Sequence, residues 1–260
     1  MDHTFKGRAA IVTGASSGIG RAIAQRLGEA GMEQWLVGRS MEGLEETAAA
    51  IKQAGGGPTH CETIDLQKRG PLGELVKRVG DAHPHLFAVI NNAGLMHPEP
   101  IIGGRMDRWE AMFAVNTLAP LESCSAAVEV MRKHGKAGHL LNIGSLAGRL
   151  DVGRVYGASK SALDMISRSL RLELEGDDIR VTSIVPGVFQ SQLMRHLEPS
   201  TLQSVAQNAQ AKGTPLAGPG SERVMGSADD IARTVLFVLQ QPINLNLQEV
   251  VIRPAATISW

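Results

Sequence analysis

The residues best suited to chemistry are Tyr156 and Lys160. Tyr156 is the one tyrosine among 260 residues, and Lys160 follows it by four positions. On a helix, residues four apart share a face, about one turn from each other. A free tyrosine hydroxyl titrates near 10, too high for a good base at neutral pH. Bringing it to about 7 requires about 4 kcal/mol of preferential stabilisation of the phenolate. A cation one turn away is the direct way to supply that. A tyrosine so tuned can give a proton to a substrate oxygen or take one from it. Taken alone, such a pair is more often an amphipathic tyrosine at the edge of a core. The segments that would position it have to decide.

Those segments alternate. Ala9, Ala10, Ile11 and Val12 form a short apolar run, a buried strand by pattern. Thr13-Gly14-Ala15-Ser16-Ser17-Gly18-Ile19-Gly20 follows, and then Ile23, Leu27 and Ala30 recur at helical spacing. Strand, glycine turn and helix in this order make an anion site: backbone N–H groups approach closely and the helix start adds partial positive charge. A dinucleotide pyrophosphate is the expected occupant. The second strand, around 34–37, ends at Gly38-Arg39-Ser40, where the ribose 2′ position would be read. No acid stands there before Glu42, so Arg39 is expected to face a 2′-phosphate, favouring NADP over NAD.

Further strands are expected near 59–64, 87–90, 139–143, 179–185 and 248–252. Helices are expected between them, including one continuous helix over 106–134, one through Tyr156 and a last one over 229–239. This implies an α/β fold: one Rossmann-type domain, with a doubly wound parallel sheet of about seven strands and helices on both faces. Ligands of such sheets bind outside the carboxyl ends of the strands. The Gly, Asn and Asp clusters fall at those ends: the glycine turn, Asp65-Leu66, Asn91-Asn92-Ala93-Gly94, Gly144-Ser145 and Pro186-Gly187. Residues 188–226 lack a strand pattern and read as a substrate lid. Asn116 is a polar residue in an apolar stretch and must find hydrogen-bond partners or cost about 1–3 kcal/mol.

Composition excludes several classes. Hydrophobic residues make up 43% and charged residues 20%, with a formal net charge of zero, so neither nucleic acid nor an anionic membrane is an expected partner. No apolar run reaches the length of a membrane span, and the first residues lack the apolar core of a signal peptide, so a cytoplasmic location is expected. Cys61 and Cys124 read as buried thiols of a reducing compartment. His83-Pro84-His85 lacks nearby ligands, and no metal is expected.

With Thr13-Gly14-x3-Gly18-x-Gly20, Asp65, Asn91 to Gly94, Asn116, Ser145, Tyr156-x3-Lys160 and Pro186-Gly187 in this order, the chain resembles the short-chain dehydrogenase/reductase family over nearly its whole length. The resemblance implies roles by position. Gly14, Ser16, Ser17, Gly18, Ile19 and Gly20 would line the pyrophosphate of NADP. Arg39 would face the 2′-phosphate, Asp65 and Leu66 the adenine, and Asn92, Ala93 and Gly94 the adenosine ribose. Ser145 would hydrogen-bond the substrate oxygen and Tyr156 would transfer its proton. Lys160 would hold the nicotinamide ribose and lower the Tyr156 pKa, and Asn116 would support a water leading protons to Lys160. Pro186, Gly187 and the backbone of Val188 would meet the nicotinamide end. Family members usually carry a Thr soon after Pro-Gly, whereas Val188-Phe189-Gln190-Ser191 stands here. The stretch between Ser145 and Tyr156 is also shorter than in most relatives.

The implied activity is an NADP-dependent oxidoreductase acting on an alcohol or carbonyl. Two other readings use the same residues: a dinucleotide-binding regulator without catalysis, and an isomerase or dehydratase employing the same base. The C-terminal run through Arg253-Pro254 is similar to the serine and 3-hydroxy-acid dehydrogenase branch, and Arg149, Arg154 and Arg195 could pair with a carboxylate. A small 3-hydroxy acid is therefore the expected substrate, with a hydrophobic ketone or a 3-oxoacyl thioester as the alternative. Members of the family commonly pair the helices near 106–134 and 155–175 across a symmetric interface, so a homotetramer or homodimer is expected.

Overall fold

A computed structural model describes residues 5–97, 99–190, 193, 203, 207, 221–223 and 225–255. Seven strands form one sheet: β1 (Ala9–Thr13), β2 (Glu33–Gly38), β3 (Thr59–Thr63), β4 (Leu86–Asn91), β5 (Gly138–Ile143), β6 (Ile179–Pro186) and β7 (Glu249–Ile252). They lie in the order β3-β2-β1-β4-β5-β6-β7, and every neighbouring pair is parallel. The helices are α1 (Gly18–Glu29), α2 (Met41–Gln53), α3 (Pro71–Ala82), α4 (Met106–Phe113), α5 (Ala119–His134), α6 (Arg154–Glu173) and α7 (Ala228–Gln240).

The apolar strands dictate this layering. Every residue of β1, β4, β5 and β6 is buried, which requires cover on both faces of the sheet. Alternation then divides each strand between two cores. Ala10 and Val12 of β1 join one core with Ile23 and Leu27 of α1 and Val235 of α7. Ala9 and Ile11 join the other with Leu72 and Val76 of α3 and Met131 of α5. β3 is an edge strand and mostly half-exposed, which leaves Cys61 half-buried while Cys124 is fully enclosed. Among the described residues, no helix is long and apolar enough to cross a membrane.

The strand order opens the site. The chain moves outward from β1 to β3 and returns to β4 on the other side of β1. Loops after β1 and β4 therefore diverge, leaving a crevice at their carboxyl ends. A buried polar network fixes that edge. Asn91 Nδ2 donates to Asn142 Oδ1 (2.9 Å), Ser123 Oγ to Asn91 Oδ1 (2.7 Å) and Asn142 Nδ2 to Ser167 Oγ (2.8 Å). It locks β4, β5, α5 and α6 to one another just beneath the crevice.

The expected continuous helix over 106–134 is interrupted. A π-helical turn at Ala114–Leu118 separates α4 from α5 and holds Asn116. The wider turn rotates Asn116 inward, where both ends of its amide find partners. Oδ1 accepts from the Leu95 N–H (2.8 Å), and Nδ2 donates to Leu95 O (2.8 Å) and to Ser159 Oγ (2.9 Å). The expected lid over 188–226 lies largely outside the described residues. Its two ends meet: Phe189 bridges Gly226, with Gln190 N donating to Gly226 O (2.9 Å) and Gly226 N to Val188 O (3.1 Å).

Candidate active site

The crevice is built from the glycine turn upward. Gly14 has φ +70°, and a Cβ on Gly20 would stand 2.2 Å from Gly14 O, so neither position accepts an ordinary side chain. The result is a side-chain-free cradle at the start of α1, suited to a diphosphate. Neighbouring groups brace it. Thr47 Oγ1 donates to Ala15 O (2.9 Å) and the Arg21 guanidinium to Ser16 O (2.7 Å). Thr13 Oγ1, at the end of β1, accepts from the N–H groups of Asn92 (3.0 Å) and Ala93 (3.0 Å). Asn92 Nδ2 returns to Thr13 O (2.8 Å). Thr13 thus clamps the turn after β4 onto the turn after β1.

One continuous cleft is lined by Gly14, Ser16, Ser17, Gly18, Ile19 and Gly20, then Arg39, Asp65 and Leu66, then Asn92, Ala93 and Gly94, and finally Ser145, Tyr156, Lys160, Pro186 and Gly187. Arg39 is exposed and makes no hydrogen bond or ion pair with another described residue. Asn116 is fully buried and stands behind the wall rather than in it. Val188 is not part of the lining. Its carbonyl is taken by the Gly226 N–H, and Phe189 lines the cleft in its place.

At the closed end, Tyr156 and Lys160 are both buried on α6. Lys160 Nζ donates to Ile143 O (2.8 Å), which ties it to the end of β5. Ser159, one helical step before Lys160, donates to Tyr156 O (2.7 Å) and accepts from Asn116. Sequence reasoning missed Ser159, Arg21 and the clamping role of Thr13. The first could have been found as a polar residue on the buried face, three positions from Tyr156.

The electrostatics differ from the expectation that Lys160 lowers the Tyr156 pKa. Burial pushes the Tyr156 hydroxyl up to about 12, against a smaller downward pull from its hydrogen bond with Ser145. Burial brings Lys160 down to about 8. Desolvation of the phenolate outweighs a cation whose own charge is disfavoured by the same burial. Tyr156 is therefore held as a proton donor.

Ser145 caps a short turn by accepting from the Ala147 N–H (3.2 Å). Two such turns, Leu146–Arg149 and Asp151–Gly153, make up the short connection to α6. The connection is tight: a Cβ on Gly153 would stand 2.0 Å from Ala147 O. Arg149, one of the three expected carboxylate partners, is already engaged. It binds Glu249 of β7 in a two-pronged ion pair at 2.8 and 2.5 Å. Arg195 lies outside the described residues.

The profile of the short chain dehydrogenase family matches residues 8–201 of this chain. The chain belongs to the short-chain dehydrogenase family. An uncharacterised oxidoreductase of Staphylococcus epidermidis is 32% identical over 251 residues, spanning 96% of this chain and 98% of that one. A metagenomic short-chain oxidoreductase solved in complex with NADP is 30% identical, with a TM-score of 0.76 over 96% of this chain and 97% of that one. RhlG of Pseudomonas aeruginosa, solved as an NADP active-site complex, is 27% identical, with a TM-score of 0.80 over 96% of each chain. Both solved structures match the fold of this chain over nearly its whole length.

Proposed function

We propose that this chain is an NADP(H)-linked oxidoreductase acting on an alcohol or carbonyl, with Tyr156 as its acid and base. One observation carries the reading. Ser145 and Lys160 stand with Tyr156 at one end of a cleft whose other end is a glycine cradle flanked by Arg39. The cradle fits a dinucleotide diphosphate, and bound NADPH would supply the hydride. The residues of the chain do the rest. Ser145 orients the substrate oxygen. As the carbonyl π bond breaks and its carbon gains the hydride, the Tyr156 O–H bond breaks and its proton forms the alcohol O–H. Lys160 positions Tyr156 and supplies charge beneath it. Asn116 acts through Ser159 and Leu95, holding α6 against the turn after β4. Both of its amide hydrogens are committed, to Leu95 O and Ser159 Oγ, which supports this bracing role.

NADPH oxidation against a panel of ketones, aldehydes and oxo acids tests the proposal. Net turnover is expected. Binding of NADPH with no turnover favours a regulator, and conversion of substrate without net oxidation favours an isomerase.

The guanidinium of Arg39, unpaired among the described residues, supports NADP over NAD. Arg39→Ala is expected to cut the ratio of kcat/KM for the two cofactors about tenfold to hundredfold, the size of a lost charge-assisted hydrogen bond. An unchanged ratio removes Arg39 from that role.

A homotetramer or homodimer is also proposed. Leu118 and Leu121, beside and on α5, and Met165 and Leu172, on α6, stay exposed at 38–71%. Exposed apolar side chains on these two helices suit burial between copies. Light scattering at micromolar concentration is expected to give a multiple of the chain mass, and a monomer contradicts it. A cytoplasmic location fits the same reading.

A further inference from the structure

The geometry points to an apolar substrate: a ketone or aldehyde carrying a hydrocarbon tail of several carbons, rather than a short hydroxy acid. This rests on the reading of Tyr156 as the proton donor.

Tyr156 does not belong to either core of the sheet. It sits in a third apolar cluster with Leu95 and Met112, against which Met96, Trp109, Val115 and Leu193 pack. Among the described residues that line the cleft, three carry charge. Arg39 and Asp65 stand at the β2 and β3 end, and Lys160 lies buried beside Tyr156 with Nζ held on Ile143 O. Arg149 is committed to Glu249, and Arg154 is itself engaged. A carboxylate brought to this wall would be desolvated without a dedicated partner among the described residues, which is costly. An alkyl chain would gain from the same burial.

The apolar surface continues outward. The turn after β4 presents Ile101 and Ile102, 61% and 92% exposed, and Met106 at the start of α4 is 62% exposed. This turn lies on the cluster itself: a Cβ on Gly104 would stand 2.5 Å from the Trp109 ring. Trp109 links the exposed isoleucines to the surroundings of Tyr156. Its Nε1 is buried and has no partner among the described residues, so it offers a neutral donor rather than a cation. Leu95, Met96 and Leu193 line the cleft, and Trp109 packs with them in the cluster that this exposed turn lies on. The tail is assigned a path from Tyr156 past Leu95, Met96 and Leu193 to Ile101 and Ile102.

The test measures kcat/KM with NADPH for 2-butanone, 2-hexanone, 2-octanone and acetoacetate, in the wild-type chain and in Ile102→Ser. The values are expected to rise about threefold to fourfold per added methylene, with acetoacetate well below 2-octanone. Ile102→Ser is expected to shrink the ratio of 2-octanone to 2-butanone about fivefold, the loss of one partly engaged side chain. A flat series, or acetoacetate turned over faster than 2-octanone, overturns the apolar assignment and leaves the oxidoreductase reading standing. A change of assembly state in Ile102→Ser with an unaltered series makes the rim a contact between copies and overturns it too. NADPH bound but never oxidised by any carbonyl overturns both readings.

Discussion

Tyr156→Phe is expected to lower kcat about 10²- to 10⁴-fold, the worth of a positioned acid or base, while leaving fold and NADPH affinity close to wild type. The ring stays in place because Leu95 and Met112 pack it and α6 carries it. The hydroxyl alone is removed. Ser145 lines the same open cleft and keeps its bond from the Ala147 N–H, so no stranded polar group remains. Stability is accordingly expected to move by no more than about 1 kcal/mol. The wild-type pH dependence tests the same arrangement. Tyr156 stays protonated up to about 12, whereas Lys160 loses its charge through about 8. Carbonyl reduction needs the proton on Tyr156 and gains from the charge on Lys160. Its kcat/KM for the dinucleotide, which reports the free protein, is therefore level below about 8 and falls as pH rises through that value. Wild-type kcat in Tyr156→Phe, or no fall through that range, removes the corresponding role.

What could be read in advance followed from local pattern. The buried strands are short apolar runs, the cradle is a run of glycines, and Tyr156 and Lys160 are separated by one helical turn. Each signal lies within a dozen residues, so it survives without knowledge of the fold. What was missed depends on residues that only the fold brings together. Arg149 reads as a free cation until β7 delivers Glu249 from 100 positions away. Thr13 looks like a strand end, yet its hydroxyl clamps a turn 79 and 80 positions distant. The π-helical turn at Asn116 has no periodic signature, because a single wide turn shifts the pattern by less than a helix boundary does. The direction of the Tyr156 shift was misjudged for a related reason. The spacing announces the nearby cation, but desolvation is a property of the finished cluster.

Gly20→Ala is expected to weaken NADPH binding at least tenfold and to destabilise the fold by about 1–3 kcal/mol. The added Cβ would meet Gly14 O at 2.2 Å and Asn92 Nδ2 at 2.5 Å. Neither neighbour can withdraw cheaply. Gly14 is fixed at φ +70° in the turn that ends β1, and Asn92 Nδ2 is held by its hydrogen bond to Thr13 O (2.8 Å). The strain is therefore relieved by moving the cradle itself, which carries the N–H groups aimed at the diphosphate. Gly55→Ala separates that effect from general strain. Gly55 also has positive φ, at +72°, but nothing lies within 4 Å of its added Cβ and it is remote from the cleft. It is expected to cost about 1 kcal/mol of stability, as a non-glycine residue does in the left-handed region, and to leave NADPH affinity unchanged. Thermal melts give the first quantity and fluorescence titration with NADPH the second. If both variants lose stability alike and neither loses affinity, the loop from Gly14 to Gly20 is a packing device and the diphosphate lies elsewhere.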